Sequence, residues 1–430
     1  MNLRSIAATA AALATLYSCK KDKNTGTQEP NYPAIATDKH PKTLTTTPSG
    51  IVLNNGGYGS SMAQDPNDHS IFYLLTDRGP NVAEAATNSI MIATPDFVPQ
   101  IGKFRLQGDS LTLESVILLK NSSGANLNGL PNPVGAGSTG ENPFDLNNNP
   151  LAPSADGIDS EGMALASDGS FWISDEYGPH IIHVDKTGKT LEKINPYTTG
   201  RKLPLVLAKR RPNRGMEGLT ITPDGKTLVG IMQFPLYNPS SAATSGSLVI
   251  RIVTFDIASG ATKEFVYMMD NTTLQAVSEI TAIDNNNFLV LERDGLFATD
   301  ANRATVFKKI FKISLTGATD ISDATNGANG KLFGGKTVEE LKDAATLAAN
   351  GIVPVTKTLV ADLMKDIPTL YPHDKAEGMA IINSTTIAVS NDDDFGITGA
   401  NKVYEQKVLA GTGKVDRNGI YFIKLATPLF

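Results

Sequence analysis

Apolar residues fall along this chain in short alternating runs bounded by glycine, asparagine, aspartate and proline. That is the pattern of half-buried strands joined by tight turns. One run recurs with a fixed opening. Glu161-Gly162-Met163-Ala164-Leu165, Glu217-Gly218-Leu219-Thr220-Ile221 and Glu377-Gly378-Met379-Ala380-Ile381 are three copies of Glu-Gly followed by an alternating strand. Glu279-Ile280-Thr281-Ala282-Ile283 is a fourth copy without the glycine, and Ser49-Gly50-Ile51-Val52-Leu53 is a weaker fifth. A turn and a second apolar run follow each copy, as Asp168-Gly169 precedes Phe171-Trp172-Ile173 and Asp224-Gly225 precedes Leu228-Val229-Gly230-Ile231. Aspartate, asparagine and glycine tolerate positive φ, so these turns favour hairpins.

Several antiparallel strands per unit, repeated along the chain, predict an all-β fold of the β-propeller type. The four glutamates are 56, 62 and 98 residues apart. The long gap predicts an insertion with a short helix near 337–350, and residues 121–155, dense in Asn, Gly and Pro, predict a long loop. Five units carry signposts. Six blades are expected, because residues 44–430 divided by six give about 64 residues each.

Composition narrows the class. Of 430 residues, 40% are hydrophobic and only 19% charged, with 38 Gly and 24 Pro. This argues against coiled coil, long solvated helices and disorder. A net charge of -6 excludes a general nucleic-acid binder, which needs a basic footprint. Small anionic or ester substrates stay open, since local patches can oppose the global sign. A monomer is expected.

The single cysteine, Cys19, rules out an intrachain disulfide and any zinc site built on two or more thiolates. Arg4 precedes an apolar run, Ile6 to Leu16, too short to span a bilayer and laid out as a signal-peptide h-region. Leu16-Tyr17-Ser18-Cys19 resembles a bacterial lipobox. Residues 1–18 are therefore expected to be a lipoprotein signal peptide, 19–43 a polar tether and 44–430 the propeller. Lipidation of Cys19 would anchor the protein outside the cytoplasm, in the periplasm or on the outer membrane or cell surface. The membrane would then be touched through that anchor alone. An ordinary signal peptide with an incidental cysteine is the alternative.

The second strand of each unit ends in polar residues. The series runs Asp77-Arg78-Gly79, Asp175-Glu176, Gln233, Glu292-Arg293 and Asn391-Asp392-Asp393-Asp394. Equivalent positions in a propeller share radius and height, so these acids should converge at one mouth of the central channel. Glu161, Glu217, Glu279 and Glu377 would add a second ring. Confined carboxylates need protonation, arginine partners or a bound cation. Calcium, with six to eight oxygen ligands, suits Glu161, Glu217, Glu279, Glu377, Asp77, Asp392 and Asp393. Asp175 and Glu176 are candidates for base or ligand, His180 for proton transfer, and Arg78, Arg214 and Arg293 for binding an anionic oxygen. The competing structural reading has the glutamates bind backbone N–H groups of the next blade and the arginines only neutralise acids.

Asp159-Ser160-Glu161-Gly162 through Phe171-Trp172-Ile173-Ser174-Asp175-Glu176-Tyr177-Gly178-Pro179 resembles the signature of the phytase-like β-propeller family, described as having esterase-like activity. Asn213-Arg214-Gly215-Met216-Glu217-Gly218-Leu219-Thr220 and Gln233-Phe234-Pro235-Leu236 are similar to its next block. Asp77-Arg78-Gly79-Pro80 is similar to its opening and Lys375-Ala376-Glu377-Gly378 to its close. The resemblance implies a calcium-dependent phosphoester hydrolase. A lactonase or arylesterase, and a non-catalytic ligand-binding lipoprotein, are the alternatives. Gly330 to Thr337 matches the P-loop pattern, but a polar loop precedes it where a buried strand should stand, so no nucleotide is expected. No Gly-x-Ser-x-Gly elbow occurs.

Overall fold

The computed structural model describes residues 29–84, 88–270, 275–401 and 403–430. The expected signal peptide, Cys19 and the tether up to residue 28 lie outside the described residues. Each Glu-Gly run is at or beside the start of an innermost strand of an antiparallel sheet. Blade 2 is Ser160–Leu165, Phe171–Asp175, His180–Val184 and Thr190–Ile194. Blade 3 is Met216–Ile221, Thr227–Met232, Val249–Asp256 and Thr262–Met268, and blade 4 is Ala276–Ala282, Asn287–Arg293, Lys308–Ser314 and Thr356–Asp362. Blade 1 is Ser61–Gln64, Ile71–Leu75, Gln100–Gln107 and Ser110–Leu118. Blade 5 is Met379–Asn383, Thr386–Ser390, Gly419–Lys424 and, outermost, Ile35–Asp38.

The five inner strands neighbour one another in cyclic order, so the ring is closed. It has five blades among the described residues, not the six expected from length. The surplus chain is spent outside the blades. Hairpins Thr43–Thr46/Val52–Asn54 and Ile397–Ala400/Val403–Gln406, a small sheet of Asn81–Glu84, Ser89–Ile92 and Asn142–Phe144, and the insertion after Ser314 take up the difference. Two further expectations are corrected. The weak signpost at 49–53 falls in one of these hairpins, and Ser61–Gln64 is the inner strand of blade 1. Residues 35–38, assigned to the tether, pair with Gly419–Tyr421 and close the ring.

The helix expected near 337–350 is broken into a 3-10 turn, Glu339–Leu341, and a six-residue α-helix, Ala344–Ala349, because Lys342 between them sits at φ 63°. Asp343 caps the second piece by accepting from Thr346 N.

Close approach explains the recurring glycine. A Cβ on Gly162 would lie 2.5 Å from Leu219 N, one on Gly218 2.6 Å from Ile280 N, and one on Gly378 2.8 Å from Ser61 C. Each contact is with the inner strand of the next blade, so a side chain there would wedge the ring open. The hydrophobic core lies between blades, where Trp172, Leu219, Ile231, Val253 and Phe288 are fully or almost fully buried.

Candidate functional site

All five second strands deliver their last residues to one face, and the inner strands begin on that face. Blade registers skip between Ser160 and Met163, Met216 and Gly218, and Val277 and Glu279. Bulges at the start of the Glu-Gly runs re-aim Glu161 and Glu217 out of the ladder. The result is an axial cavity of about 430 Å³.

Seven carboxylates line it: Asp77, Asp159, Glu161, Glu176, Glu217, Glu377 and Asp394. Four cations face them, Arg78, Arg214, Arg293 and Lys375. Most of those cations are already engaged. Arg78 Nη1 donates to Glu141 Oε2 at 3.0 Å and to Asn213 Oδ1 at 3.2 Å, and its Nε lies 3.6 Å from Asp159 Oδ2. Arg293 pairs with Glu377 through Nη2 and donates from Nε to Ser278 Oγ at 2.9 Å. Lys375 Nζ holds Asp392 at 2.6 Å and Asp394 at 2.7 Å. Arg214, 42% exposed, reaches a carboxylate only at 3.9 Å, on Glu176.

Burial and mutual repulsion show in the carboxyl groups. Burial, then the charge of Asp159, pushes Asp77 up to about 8. Burial raises Asp159 to about 6 against the opposing pull of Arg78, and burial with the Glu377 charge raises Glu217 to about 7. Glu161 and Glu176 are raised well above the carboxylate range by burial and then by Glu217. Buried Glu176 Oε1, Glu217 Oε2 and Glu377 Oε2 accept no hydrogen bond. Asp159, Glu161 and Glu176 each offer one oxygen, all within 4.8 Å of one another. An all-oxygen set with unpartnered buried atoms fits a hard divalent cation.

Glu279 points down the channel, away from this cavity, where Ser61 Oγ donates to its Oε2 at 2.5 Å and Ile280 N to its Oε1 at 2.9 Å. Asp393 accepts from Gly57 N, Phe395 N and Asn418 N and holds a turn. Asp392 lies behind Lys375. Asp175 accepts from Asp159 N, Tyr177 N and Gly178 N, and its Oδ2 is 2.8 Å from His180 Nδ1. Burial alone would raise Asp175, but the His180 hydrogen bond and charge outweigh it and hold it low. Burial lowers His180. Neither Asp175 nor His180 lines the cavity; they brace the loop that presents Glu176.

Asp159, Lys375 and Asp394 line the cavity but were not singled out as site residues. Asp159 and Lys375 each stand two positions before a Glu-Gly glutamate, and the two-residue period of a strand was the signal available. Glu141, which anchors Arg78, comes from the 121–155 loop, whose fold no sequence pattern announces.

A curated relative, an uncharacterized secreted protein of Arthroderma benhamiae, is 27% identical over 218 residues, 41% of this chain and 42% of that protein. A solved protein from Lactobacillus plantarum is 10% identical with a TM-score of 0.34, covering 92% of this chain and 97% of that one. The PQQ-bound aldose sugar dehydrogenase of Streptomyces coelicolor is 9% identical with a TM-score of 0.30, covering 91% and 99%. Residues 54–395 match the model of the phytase-like family, described as esterase-like activity of phytase, and the chain belongs to that family.

Proposed function

We propose that this chain is an exported, lipid-anchored hydrolase that cleaves a phosphoester in the axial cavity with calcium bound there. The observation that carries the reading is the trio Asp159, Glu161 and Glu176, with oxygens within 4.8 Å, beside arginines on the same cavity wall. Calcium, when bound, supplies Lewis acidity and the positive charge that offsets the carboxylate excess. Arg214 is the cation least committed to protein partners and meets the incoming anion at the rim. Arg78 and Arg293, each fixed by carboxylates, orient the anionic oxygens deeper in. Asp77, whose protonated form burial favours, lines the same cavity and is placed to protonate a leaving oxygen. Export is supported by the leader pattern and by the secreted relative, and the Cys19 anchor by the lipobox-like Leu16-Tyr17-Ser18-Cys19 alone.

The test is phosphate release from several phosphomonoesters with and without chelator, alongside calcium titration of the wild type, Glu161→Gln and Glu176→Gln. Chelator should stop release, and both variants should bind calcium at least tenfold more weakly. Release indifferent to chelator, or unchanged calcium binding in both variants, overturns the reading. Phe234 and Leu296 on the same wall favour a second reading, a carboxylic ester with an apolar acyl group. Turnover of aryl acetates or lactones without phosphate release would select it. No turnover, with a melting temperature that calcium raises, would select a ligand-binding propeller.

A further inference from the structure

The channel opens again at the opposite face, into a larger cavity of about 760 Å³. Its wall is built by alternate residues of the inner strands, one from each blade: Ala63, Leu165, Ile221, Ala282 and Ile381, all partly exposed. Three hairpin aspartates, Asp65, Asp168 and Asp224, stand at its rim. Among the described residues no lysine or arginine lines it, whereas four line the cavity at the other face. Asp168 and Asp224 are held ionised, below the ordinary carboxylate range, mainly by hydrogen bonds from the Ser170 and Thr222 hydroxyls. Glu279 forms the floor, its two oxygens taken up by Ser61 Oγ and Ile280 N. An apolar wall and an anionic rim are complementary to one kind of molecule.

We propose that this second mouth binds an amphiphile with an apolar tail and a cationic head group. The tail enters along the five-blade wall, where it leaves water. The head stays at the rim, attracted by Asp65, Asp168 and Asp224. The site is separate from the acidic cavity and does not depend on the hydrolase reading.

The only tryptophan in the chain, Trp172, lines this cavity and stacks on His183 at 4.0 Å. Its emission therefore reports occupancy. The whole chain would be titrated with dodecyltrimethylammonium below its micellar concentration, with dodecanoate and dodecyl maltoside as controls. A saturable change is expected for the cation, at least tenfold weaker for dodecanoate, and weakened by added salt. Asp168→Asn with Asp224→Asn should weaken the cation roughly threefold to tenfold. Ala282→Phe, which fills the wall without touching the rim, should abolish the response while the melting temperature confirms folding. No saturable change, equal binding of dodecanoate or the maltoside, or an unchanged Ala282→Phe response overturns the proposal.

Discussion

Replacing Gly218 by alanine tests the account of how the ring is closed. The added Cβ would stand 2.6 Å from Ile280 N and 2.9 Å from the C and Cα atoms of Glu279. Ordinary contacts of this kind need nearly an ångström more. Both strands are laddered into their own blades, at Gly218–Ile231 and Ile280–Val290, so neither retreats alone. Overpacking costs about 1–3 kcal/mol, and backbone on the receiving side puts this case near about 3 kcal/mol. Unfolding entropy at about 2.1 cal/mol/K per residue, over roughly 400 residues, is about 0.8 kcal/mol/K. The melting temperature should therefore fall by about 3–4 °C. Gly225→Ala is the control: at φ +71° with nothing within 4 Å, it meets only backbone strain. That strain costs about 1–2 kcal/mol, or about 1–2 °C. Scanning calorimetry of both variants decides. A Gly218→Ala melting temperature no lower than that of Gly225→Ala would refute the close-approach argument.

Three more outcomes are expected. Asp159, Glu217 and Asp77, raised to about 6, 7 and 8, bind protons in the folded chain that the unfolded chain has already released. The chelated protein should thus lose stability as pH rises from about 5 to 8, with calcium restoring it most at pH 8; a flat or rising melting curve would contradict this. Arg251→Met strands buried Glu264 and Glu339, which now contact Arg251 Nη1 at 2.9 Å and its Nε, and should cost about 3–5 kcal/mol. Limited proteolysis should then cut first within 320–350, the insertion that Glu339 pins to blade 3. Cys19→Ser should stop incorporation of a labelled acyl chain and move the protein from the membrane to the soluble fraction.

The blades were readable because each is local. Glu-Gly, an alternating strand, an Asp-Gly turn and a second strand all fall within about twenty residues, where periodicity and turn chemistry act. The blade count was not, because it depends on how much chain leaves the ring, and the accessory hairpins carry the same short-strand pattern as the blades. Ile35–Asp38 was invisible for a related reason. A four-residue strand beside a polar segment is defined only by its partner near residue 420. In the site, Glu161, Glu217 and Glu377 followed from the repeat. Glu279 parted from them where Ile280 replaces the glycine and the backbone N–H of Ile280 captures the carboxylate. Asp392 and Asp393 read as an acidic run; in three dimensions one faces Lys375 and the other ties a turn.

The outermost strand of blade 5 comes from the start of the ring and its other three from the end, joining Thr37 to Gly419. A chain emerging N-terminus first can complete blades 1 to 4 in order, but the last blade must wait for residue 424 and for the opening strand still to be free. Closing a loop of several hundred residues adds only a few kcal/mol of entropy, because the cost grows with the logarithm of length. Circularity is therefore decided late and at one seam. Until it is made, the axial carboxylates are not confined and do not face one another's charge. A protein exported as an unfolded thread would thus assemble its charged cavity only after crossing the membrane.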